Sequence, residues 1–354
     1  KMIKISDVAK EAGVSISTVS NVINRKGTTK KETEALVLET IDRLGYIPNR
    51  MAQGLKSNRT NVIGIIAEDI SSFSSGDIID GICAYAESHD YTITLCNLRV
   101  NRKVAAVQDE DYQQLEHSPG FLDSLQNLVR SLEVSRICGL IYIGTYPRDI
   151  PHCLADLKIP VVFTYSYRSE PISYSVNYDD FQGAYLATEN LIRHGHTRIG
   201  LISGSVNSNP TYKRMLGYQT ALMDHQIPFV PEYICTGKWR YEDGYEQCER
   251  LLSLPVPPTA IFSMSDLMAY GAMNLCLDHG LRIPEDLSIH GFDNLEFSAY
   301  TRPSLATIKL PLHEIGSRSA EILCSLLNEA APQPSDILIP CTLSEGKSVA
   351  APHQ

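Results

Sequence analysis

From residue 62 onward, short apolar segments alternate with longer amphipathic segments, and this alternation restricts the possible folds more than any other feature of the chain. Strands separated by helices indicate parallel β-sheets that are covered by helices on both faces. The predicted strands are Val62–Ala67, Thr92–Leu95, Gly139–Ile143, Val161–Thr164, Ile199–Ser203, Ala260–Ser263 and Leu287–Gly291. The predicted helices lie near 76–88, 120–133, 181–194, 211–225, 241–253, 266–279 and 312–329.

These strands are too many for one compact sheet of this kind, and the alternation breaks near residues 164–178. A chain of 354 residues is also long enough for two or three domains. The segment from residue 62 is therefore predicted to form two similar α/β halves with a cleft between them. Ligands of such sheets bind beyond the carboxyl ends of the strands, so we expect a binding site there.

Residues 5–24, ISDVAKEAGVSISTVSNVIN, predict two short helices joined by a tight turn. Ser6 is the predicted N-cap of the first helix, and Gly13 stands where a helix commonly ends in the left-handed conformation. Such a pair is a helix-turn-helix, whose second helix enters the major groove of DNA. A third helix is predicted over 31–44, ended by Gly45. Its predicted core residues are Ala35, Val37, Leu38, Ile41 and Leu44.

Charge separates this N-terminal segment from the rest of the chain. Residues 1–60 contain 11 Lys and Arg residues against six Asp and Glu residues, whereas the whole chain has a net charge of −10. A basic segment on an acidic body indicates a polyanionic partner for that segment alone. A solvated surface would account for the same charge, and the helix-turn-helix motif favours nucleic acid.

The segment YIPNRMAQGLKSNRTN (46–61) combines a basic rim with one prominent apolar residue, Leu55. Pro48 and Asn49 can begin a helix, but a helix over 49–56 is too short to be stable alone in water. A conditional helix with an apolar wedge suits insertion between base steps in the minor groove.

The patterns DVAxxAGVSxxTVSxVxN, GYxPNxxAxxL and VIGII together resemble the lactose-repressor (LacI/GalR) family of bacterial transcription regulators. The resemblance covers essentially the whole chain. It implies a DNA-binding domain at 1–48 and a hinge helix with linker at 49–61, followed by an effector-binding body.

The resemblance also implies which residues contact DNA. Ile16, Ser17 and Asn21 match the positions that read bases, and Leu55 matches the wedge in the minor groove. Capping of helices would be the ordinary role of isolated serines. The DNA-binding residues that we predict are Ser6, Ser15, Ile16, Ser17, Thr18, Ser20, Asn21, Asn24, Tyr46, Asn49, Ala52, Leu55 and Lys56.

The body resembles periplasmic sugar-binding proteins of type I, with two Rossmann-like doubly wound subdomains. In that fold the chain crosses between the halves three times, so the last elements return to the first half. We therefore expect an N-terminal subdomain of 62–163 plus about 310–331. The C-terminal subdomain is expected to comprise 164–309 plus about 332–354.

Polar and aromatic residues after the predicted strands form the predicted effector site: Ser72, Phe73, Tyr165, Arg214, Trp239, Ser265, Asp266 and Asp293. By the family resemblance, Arg214 grips the effector, Asp293 binds sugar hydroxyls and Trp239 stacks on the ligand. A carboxylate can accept two adjacent hydroxyls, and arginine donates several hydrogen bonds. Structural roles are alternatives: Asp293 or Asp266 as a helix cap, and Trp239 as a core residue.

Motifs of enzymes are absent from the sequence. No GxGxxG follows a strand, neither HExxH nor GxSxG occurs, and GKS at 346–348 has Cys341 where a phosphate loop needs glycine. The nine cysteines form no CxxC and no Cys/His cluster, which disfavours a disulfide framework and a zinc site. We expect no enzymatic activity, no cofactor and no metal.

The expected setting is the cytoplasm. No apolar run approaches the roughly 20 residues that cross a bilayer, and KMIKISDVAK has no apolar signal-peptide stretch. We expect a homodimer on a palindromic double-stranded DNA operator, with a sugar-like effector and no membrane partner. The alternative is a solute-binding protein without a DNA role, which the basic N-terminal segment disfavours.

Overall fold

The structure is a computed structural model that describes residues 3–23, 29–46, 60–100, 119–150, 154, 157–169, 173–330 and 333–353. The chain forms two compact units, Lys1–Thr60 and Asn61–Gln354. The first unit is called the head and the second the body.

The described residues of the head contain three helices: α1 (Ile5–Glu11), α2 (Ile16–Ile23) and α3 (Lys31–Leu44). Val8, Val19 and Val37 are fully buried and belong to one small apolar core. Gly13 and Gly45 follow α1 and α3 with φ angles of 65° and 60°, which glycine adopts without steric penalty. The predicted helix-turn-helix is confirmed.

Two details of the head differ from the prediction. Ser6 is not the N-cap of α1, because the N-cap is Lys4 and Ser6 lies inside the helix. The Lys4 backbone N–H instead donates a hydrogen bond to the Asp7 carboxylate at 2.9 Å, so an acidic side chain satisfies the helix start. On α3, Ala35 and Leu38 are exposed rather than packed in the core.

The body continues the chain with short strands and longer helices. In chain order these are β1 (Val62–Ala67), α4 (Ser75–Ser88), β2 (Thr92–Asn97), α5 (Pro119–Val134), β3 (Gly139–Ile143), β4 (Val161–Thr164), β5 (Tyr174–Tyr178), α6 (Asp180–Arg193), β6 (Ile199–Ser203), α7 (Asn209–Asp224), β7 (Ile234–Thr236), α8 (Tyr241–Leu252), β8 (Ala260–Ser263), α9 (Asp266–Asp278), β9 (Ser288–His290), β10 (Thr307–Lys309), α10 (Leu312–Leu327), β11 (Asp336–Ile339) and β12 (Thr342–Ser344). Pro231–Tyr233 and Glu296–Ala299 form short 3₁₀ segments.

Two parallel sheets organise the body. The strand order is β11-β5-β4-β3-β1-β2 in the first sheet and β7-β6-β8-β9 in the second. A separate antiparallel pair joins β10 to β12. Strands such as β3 are buried throughout, because helices cover both faces of a parallel sheet. The predicted body of two doubly wound halves is confirmed.

The chain passes between the halves three times. It enters the second half with α6 after β5, and returns with α10, which packs on α4 and against β3, β4 and β5. It then forms β11 beside β5 and crosses back to pair β12 with β10. The boundaries predicted near 164 and 332 need a correction, because β5 and β11 both hydrogen-bond within the first sheet.

Every strand and helix predicted for the body is present, with ends shifted by at most two residues. Five short strands were missed: β5, β7, β10, β11 and β12. These strands have three to five residues, and several are partly exposed or polar, so they lack the continuous apolar run of the strands that were predicted.

A buried ion pair fixes the segment that follows β3. The Arg148 guanidinium donates hydrogen bonds to both Glu68 oxygens, at 2.6 and 2.9 Å, and the two side chains are 7% and 0% exposed. Glu68 also accepts hydrogen bonds from the Tyr142 hydroxyl at 2.6 Å and the Thr145 backbone N–H at 2.9 Å. Each carboxylate oxygen therefore has several donors, as a buried carboxylate requires.

We expect Arg148→Ala to lower the free energy of unfolding by about 3–5 kcal/mol, because it leaves the Glu68 carboxylate buried without its counter-ion. Chemical denaturation followed by circular dichroism measures this loss. The control is Arg282→Ala, which removes one partner of an exposed pair with Asp286. That control is expected to unfold like the wild type, and equal losses in the two variants would contradict the assignment.

Candidate functional site

The solvent-facing side of α2 carries the predicted DNA-contacting residues of the head. The exposed residues are Ser15, Ile16 and Ser17, and the half-buried residues are Thr18, Ser20 and Asn21. The Ile16 side chain is 50% exposed. The Ser15 hydroxyl accepts a hydrogen bond from the Thr18 backbone N–H at 3.1 Å, so Ser15 also caps α2.

The other predicted DNA-contacting residues divide into two groups. Ser6 is exposed on α1, and Tyr46 packs partly against the core of the head. The remaining residues lie outside the described part of the chain: Asn24, Asn49, Ala52, Leu55 and Lys56.

In the body, six of the predicted effector residues follow five strands at their carboxyl ends, and four of these strands are neighbours in the second sheet. Tyr165 follows β4, Trp239 follows β7 and Asp293 follows β9. Ser265 and Asp266 follow β8, and Arg214 lies on α7 after β6. Ligands of doubly wound sheets bind at this edge.

Arg214 is the centre of the site and is only 4% exposed. Its Nε donates a hydrogen bond to Asp180 Oδ1 at 2.7 Å, and its Nη2 donates to the Tyr178 hydroxyl at 2.7 Å. Its Nη1 donates to the backbone carbonyl of Met264 and lies 3.9 Å from Asp293 Oδ1. Because Tyr178 ends β5 of the first sheet and α7 belongs to the second half, Arg214 connects the two halves.

Aromatic rings surround the Arg214 guanidinium. Its central carbon lies 3.7 Å from the centre of the Phe292 ring, 5.4 Å from that of Trp239 and 5.8 Å from that of Tyr178. Rings at such distances attract a cation through their electron-rich faces. The Phe292 ring centre also lies 6.3 Å from that of Tyr178, with the two ring planes tilted by 50°, so the aromatic rings around Arg214 come from both halves.

Burial and charge act in opposite directions on the ionisable groups of this cluster. Burial raises the pKa of the Asp180 and Asp293 carboxyls, and the nearby Arg214 charge lowers both without cancelling the effect of burial. Burial disfavours the charge of Arg214, but Tyr178, Asp180 and Asp293 outweigh it and raise the pKa of the guanidinium. The cluster therefore combines one permanent cation with two carboxyls that bind protons more readily than in water.

Three of the predicted site residues have backbone conformations that residues with side chains rarely adopt. The φ angle is +55° at Tyr165, +68° at Trp239 and +120° at Asp293. Such strain persists where surrounding contacts enforce it, and it is concentrated at ligand-binding sites. The half-buried Trp239 ring lies on Gly204, where any Cβ would overlap the indole.

Asp266 is not the N-cap of α9, because Ser265 occupies that position and accepts a hydrogen bond from a first-turn N–H at 3.3 Å. The fully buried Asp266 carboxylate instead accepts hydrogen bonds from the Leu295 backbone N–H at 2.8 Å and the Ser298 hydroxyl at 2.6 Å. It also accepts one from the Thr307 hydroxyl at 2.5 Å. Asp266 therefore anchors the segment after Asp293, and burial raises its pKa to about 6 despite these hydrogen bonds.

The remaining predicted effector residues differ in their distance from the Arg214 cluster. Tyr165 is buried and its ring centre lies 5.4 Å from that of Tyr178, so it belongs to the cluster. Ser72 is half-buried and Phe73 is 50% exposed, in the turn before α4. Asp293 does not directly cap the following 3₁₀ segment, whose N-cap is Leu295.

Sequence reasoning missed the residues at the end of β5. Asp180 and Tyr178 make two of the hydrogen bonds that hold Arg214, yet neither was predicted, because β5 itself was missed. The available signal was the dipeptide Asp179–Asp180 directly before a predicted helix, of which Asp179 caps α6 through the Gln182 N–H at 3.0 Å.

A second contact between the halves was also missed. The Asn209 side-chain amide at the start of α7 donates a hydrogen bond to the Tyr167 hydroxyl at 2.8 Å. Tyr167 follows β4, and its backbone pairs with Arg148 and Ile150 in the segment that Glu68 fixes. The cleft therefore has a rigid support on the side of the first half.

Within the described residues, no helix is long and apolar enough to span a membrane. The same residues contain no group of three or more His, Cys, Asp or Glu side chains that could hold a metal ion.

Comparison with known proteins relates both units to regulators. Residues 4–49 match bacterial regulatory proteins of the lacI family, and residues 188–349 match the periplasmic binding protein-like domain. Catabolite control protein A of Priestia megaterium is 34% identical over 340 residues, covering 96% of each chain. The transcriptional repressor PurR of Pasteurella multocida (strain Pm70) is 32% identical over 334 residues, covering 94% of each chain.

A solved structure agrees with these relatives. The crystal structure of the lac repressor dimer bound to operator and the anti-inducer ONPF matches with a TM-score of 0.80 and 27% identity. The match covers 99% of this chain and 100% of that chain.

A helix-turn-helix head followed by a periplasmic-binding-like body defines a DNA-binding transcription regulator rather than an enzyme. The chain belongs to the lacI family of bacterial regulatory proteins.

The raised pKa of Asp266 predicts how pH changes stability. A folded-state pKa of about 6, above the unfolded value of about 3.9, stabilises the protonated folded protein, and this contribution is lost as pH rises through 6. We expect wild type to lose about 1–3 kcal/mol relative to Asp266→Asn between pH 4.5 and pH 7.5. Urea denaturation of both proteins at each pH measures the difference, and a difference independent of pH would contradict the assignment.

Proposed function

We propose that the protein is a homodimeric repressor whose binding to an operator is controlled by a small polar effector in the body cleft. The observation that carries this proposal is the Arg214 cluster, which joins both halves at the edge where ligands bind. The names of the relatives support it, since they include PurR, a repressor, and a lac repressor crystallised with operator and anti-inducer. We assign the protein to the cytoplasm, where it would meet DNA.

DNA recognition is assigned to α2. Ile16, Ser17 and Asn21 are proposed to read base edges in the major groove, and Thr18 and Ser20 to contact phosphates, together with Ser6, Ser15, Asn24, Tyr46 and Asn49. Small hydroxyl and amide side chains suit both tasks. By the family resemblance, Ala52, Leu55 and Lys56 would enter the minor groove.

Two heads would read a palindromic operator, as a two-fold dimer requires. Exposed aromatic residues on the body support self-association. Phe297 and Tyr300 are 72% and 64% exposed, and they lie three residues apart on and directly after the 3₁₀ segment Glu296–Ala299. Large apolar side chains on one exposed turn are typical of interaction surfaces.

The effector is proposed to bind among Asp293, Arg214 and Trp239, with Ser72, Phe73, Tyr165 and Ser265 lining the same cleft. Asp293 would accept ligand hydroxyls, and the Trp239 ring would cover an apolar ligand face. Asp266 is assigned a supporting role, because its oxygens are occupied by the segment after Asp293. A sugar or a related polar metabolite has the required hydroxyls.

Coupling to DNA follows from contacts that bridge the halves. Arg214 with Tyr178, and Asn209 with Tyr167, join elements of the two sheets. A ligand that binds both halves favours one relative orientation of the halves over another, and only such a difference in affinity can shift the equilibrium. The halves of two bodies would set the spacing of the two hinge segments at 49–61 and thereby DNA affinity.

We expect Asn21→Ala to weaken binding to an operator selected from a palindromic DNA library by about 1–3 kcal/mol, because one base contact is lost. Binding to an unrelated duplex should stay unchanged, since phosphate contacts remain. Gel-shift titration measures both affinities. Gln219→Ala, which truncates an amide on α7 of the body, is the control, and an equal loss on both duplexes would contradict base reading.

We expect Asp293→Asn to weaken effector binding at least tenfold, because asparagine removes the charged acceptor while tolerating the positive φ angle. Operator affinity without effector should stay within a few-fold of wild type. Trp239 is the single tryptophan of the chain, so its fluorescence can follow the titration directly. Unchanged effector affinity in this variant would move the site elsewhere.

A further inference from the structure

We propose that the cleft selects effectors that carry no anionic group, because Asp180 already serves as the counter-ion of Arg214. This inference rests on the proposed function and specifies the chemical class of its ligand. It distinguishes uncharged, hydroxyl-rich molecules from sugar phosphates, sugar acids and other anions of similar size.

The first argument is the charge of the site. Arg214 is buried, and the carboxylates of Asp180 and Asp293 lie 2.7 and 3.9 Å from its nitrogens. Asp266 adds a third buried carboxyl behind Asp293, and Lys213 adds a cation from a half-buried position beside Asp180. Asp180 therefore already balances the buried Arg214 charge, and the neighbouring carboxyls leave no excess positive charge that would attract an anion.

The second argument is the hydrogen bonding of the guanidinium. Arginine captures phosphates and carboxylates through two neighbouring N–H groups that act as a fork. Here Nε is bonded to Asp180, Nη1 to the Met264 carbonyl and Nη2 to the Tyr178 hydroxyl. Three of the five N–H groups therefore already have partners within the protein, and the Nε–H that a side-on fork would use is held by Asp180.

The third argument is the set of polar atoms without partners. Among the described residues, Asp180 Oδ2 and Thr211 Oγ1 are buried and make no hydrogen bond. Thr211 precedes Arg214 by three residues on α7 and therefore lies on the same face of the helix. A carboxylate oxygen only accepts hydrogen bonds, so a ligand group that donates a hydrogen bond would satisfy the buried Asp180 Oδ2. Hydroxyl groups donate hydrogen bonds, whereas ionised phosphate and carboxylate oxygens only accept them.

These three observations describe one ligand class. Asp180 Oδ2 has no hydrogen-bond partner, the Asp293 carboxylate lies 3.9 Å from Arg214 Nη1, and the half-buried Trp239 ring offers an apolar surface. An uncharged molecule with several hydroxyls and an apolar C–H face satisfies both features. The ionised group of a sugar phosphate or sugar acid cannot donate a hydrogen bond to either carboxylate, although the hydroxyls of such a molecule can.

The test titrates the full chain with matched probes while Trp239 fluorescence and the melting temperature are recorded. The probe pairs are D-glucose with D-glucose 6-phosphate, and D-galactose with D-galacturonate, and inorganic phosphate is added alone. In wild type, we expect the anionic member of each pair to bind more weakly than its neutral counterpart. At matched ionic strength, inorganic phosphate should leave the melting temperature unchanged.

The decisive variant is Asp180→Asn, which removes the counter-ion while keeping an oxygen that can accept the Arg214 Nε hydrogen bond. We expect this variant to bind inorganic phosphate or D-glucose 6-phosphate at least tenfold more tightly than wild type does. The control is Asp286→Asn, which makes the same charge change in a surface pair with Arg282, at the amino end of β9. The control should gain no affinity for these anions.

Two results would overturn the proposal: an anionic probe that binds wild type at least as tightly as its neutral partner, or an Asp180→Asn variant that gains no anion affinity. The wild-type comparison stands even if the variant does not fold. An anion that binds wild type and changes operator affinity would refute the selection of uncharged effectors, but it would support effector control of DNA binding. A neutral probe that binds the cleft without changing operator affinity would refute effector control instead.

Discussion

The body depends on a buried guanidinium that cannot lose its charge. Arginine keeps its proton in any protein environment, so a buried Arg214 requires acceptors on every side. The body supplies them from separate elements: Asp180 at the start of α6, the Met264 carbonyl after β8 and Tyr178 at the end of β5. Since these elements belong to both halves, satisfying one charge also fixes how the halves meet.

The same requirement explains the unusual backbone around the cluster. Tyr165, Trp239 and Asp293, which lie at or near Arg214 after the ends of strands, all have positive φ angles. Their strain needs support, and Asp266 gives it to the segment after Asp293 through three hydrogen bonds. Glu68 and Arg148 fix the segment that Tyr167 pairs with on the other side. Buried polar pairs therefore fix the segments around the Arg214 cluster.

How far the sequence predicts the molecule depends on the range of the interactions. Long apolar runs such as β1, and amphipathic helices such as α7, follow from local periodicity and were predicted to within two residues. Strand β5, YSVNY, has no such run. It is held by pairing with β11, some 160 residues away, and a local sequence pattern cannot indicate such a long-range contact. Asp180 was missed with it. Arg214 and Asp293 were selected because they follow predicted strands, and the family resemblance then supplied their roles.

The measurement that tests the central claim most directly is the reciprocal linkage between ligand and DNA. Trp239 fluorescence gives the affinity of a cleft ligand for the full chain, first without DNA and then with saturating operator. Linkage requires that operator changes ligand affinity by the same factor by which the ligand changes operator affinity, with coupling of about 1–3 kcal/mol. We predict equal factors, clearly different from one. Ligand affinity that is identical with and without operator would contradict control of DNA binding through the Arg214 cleft.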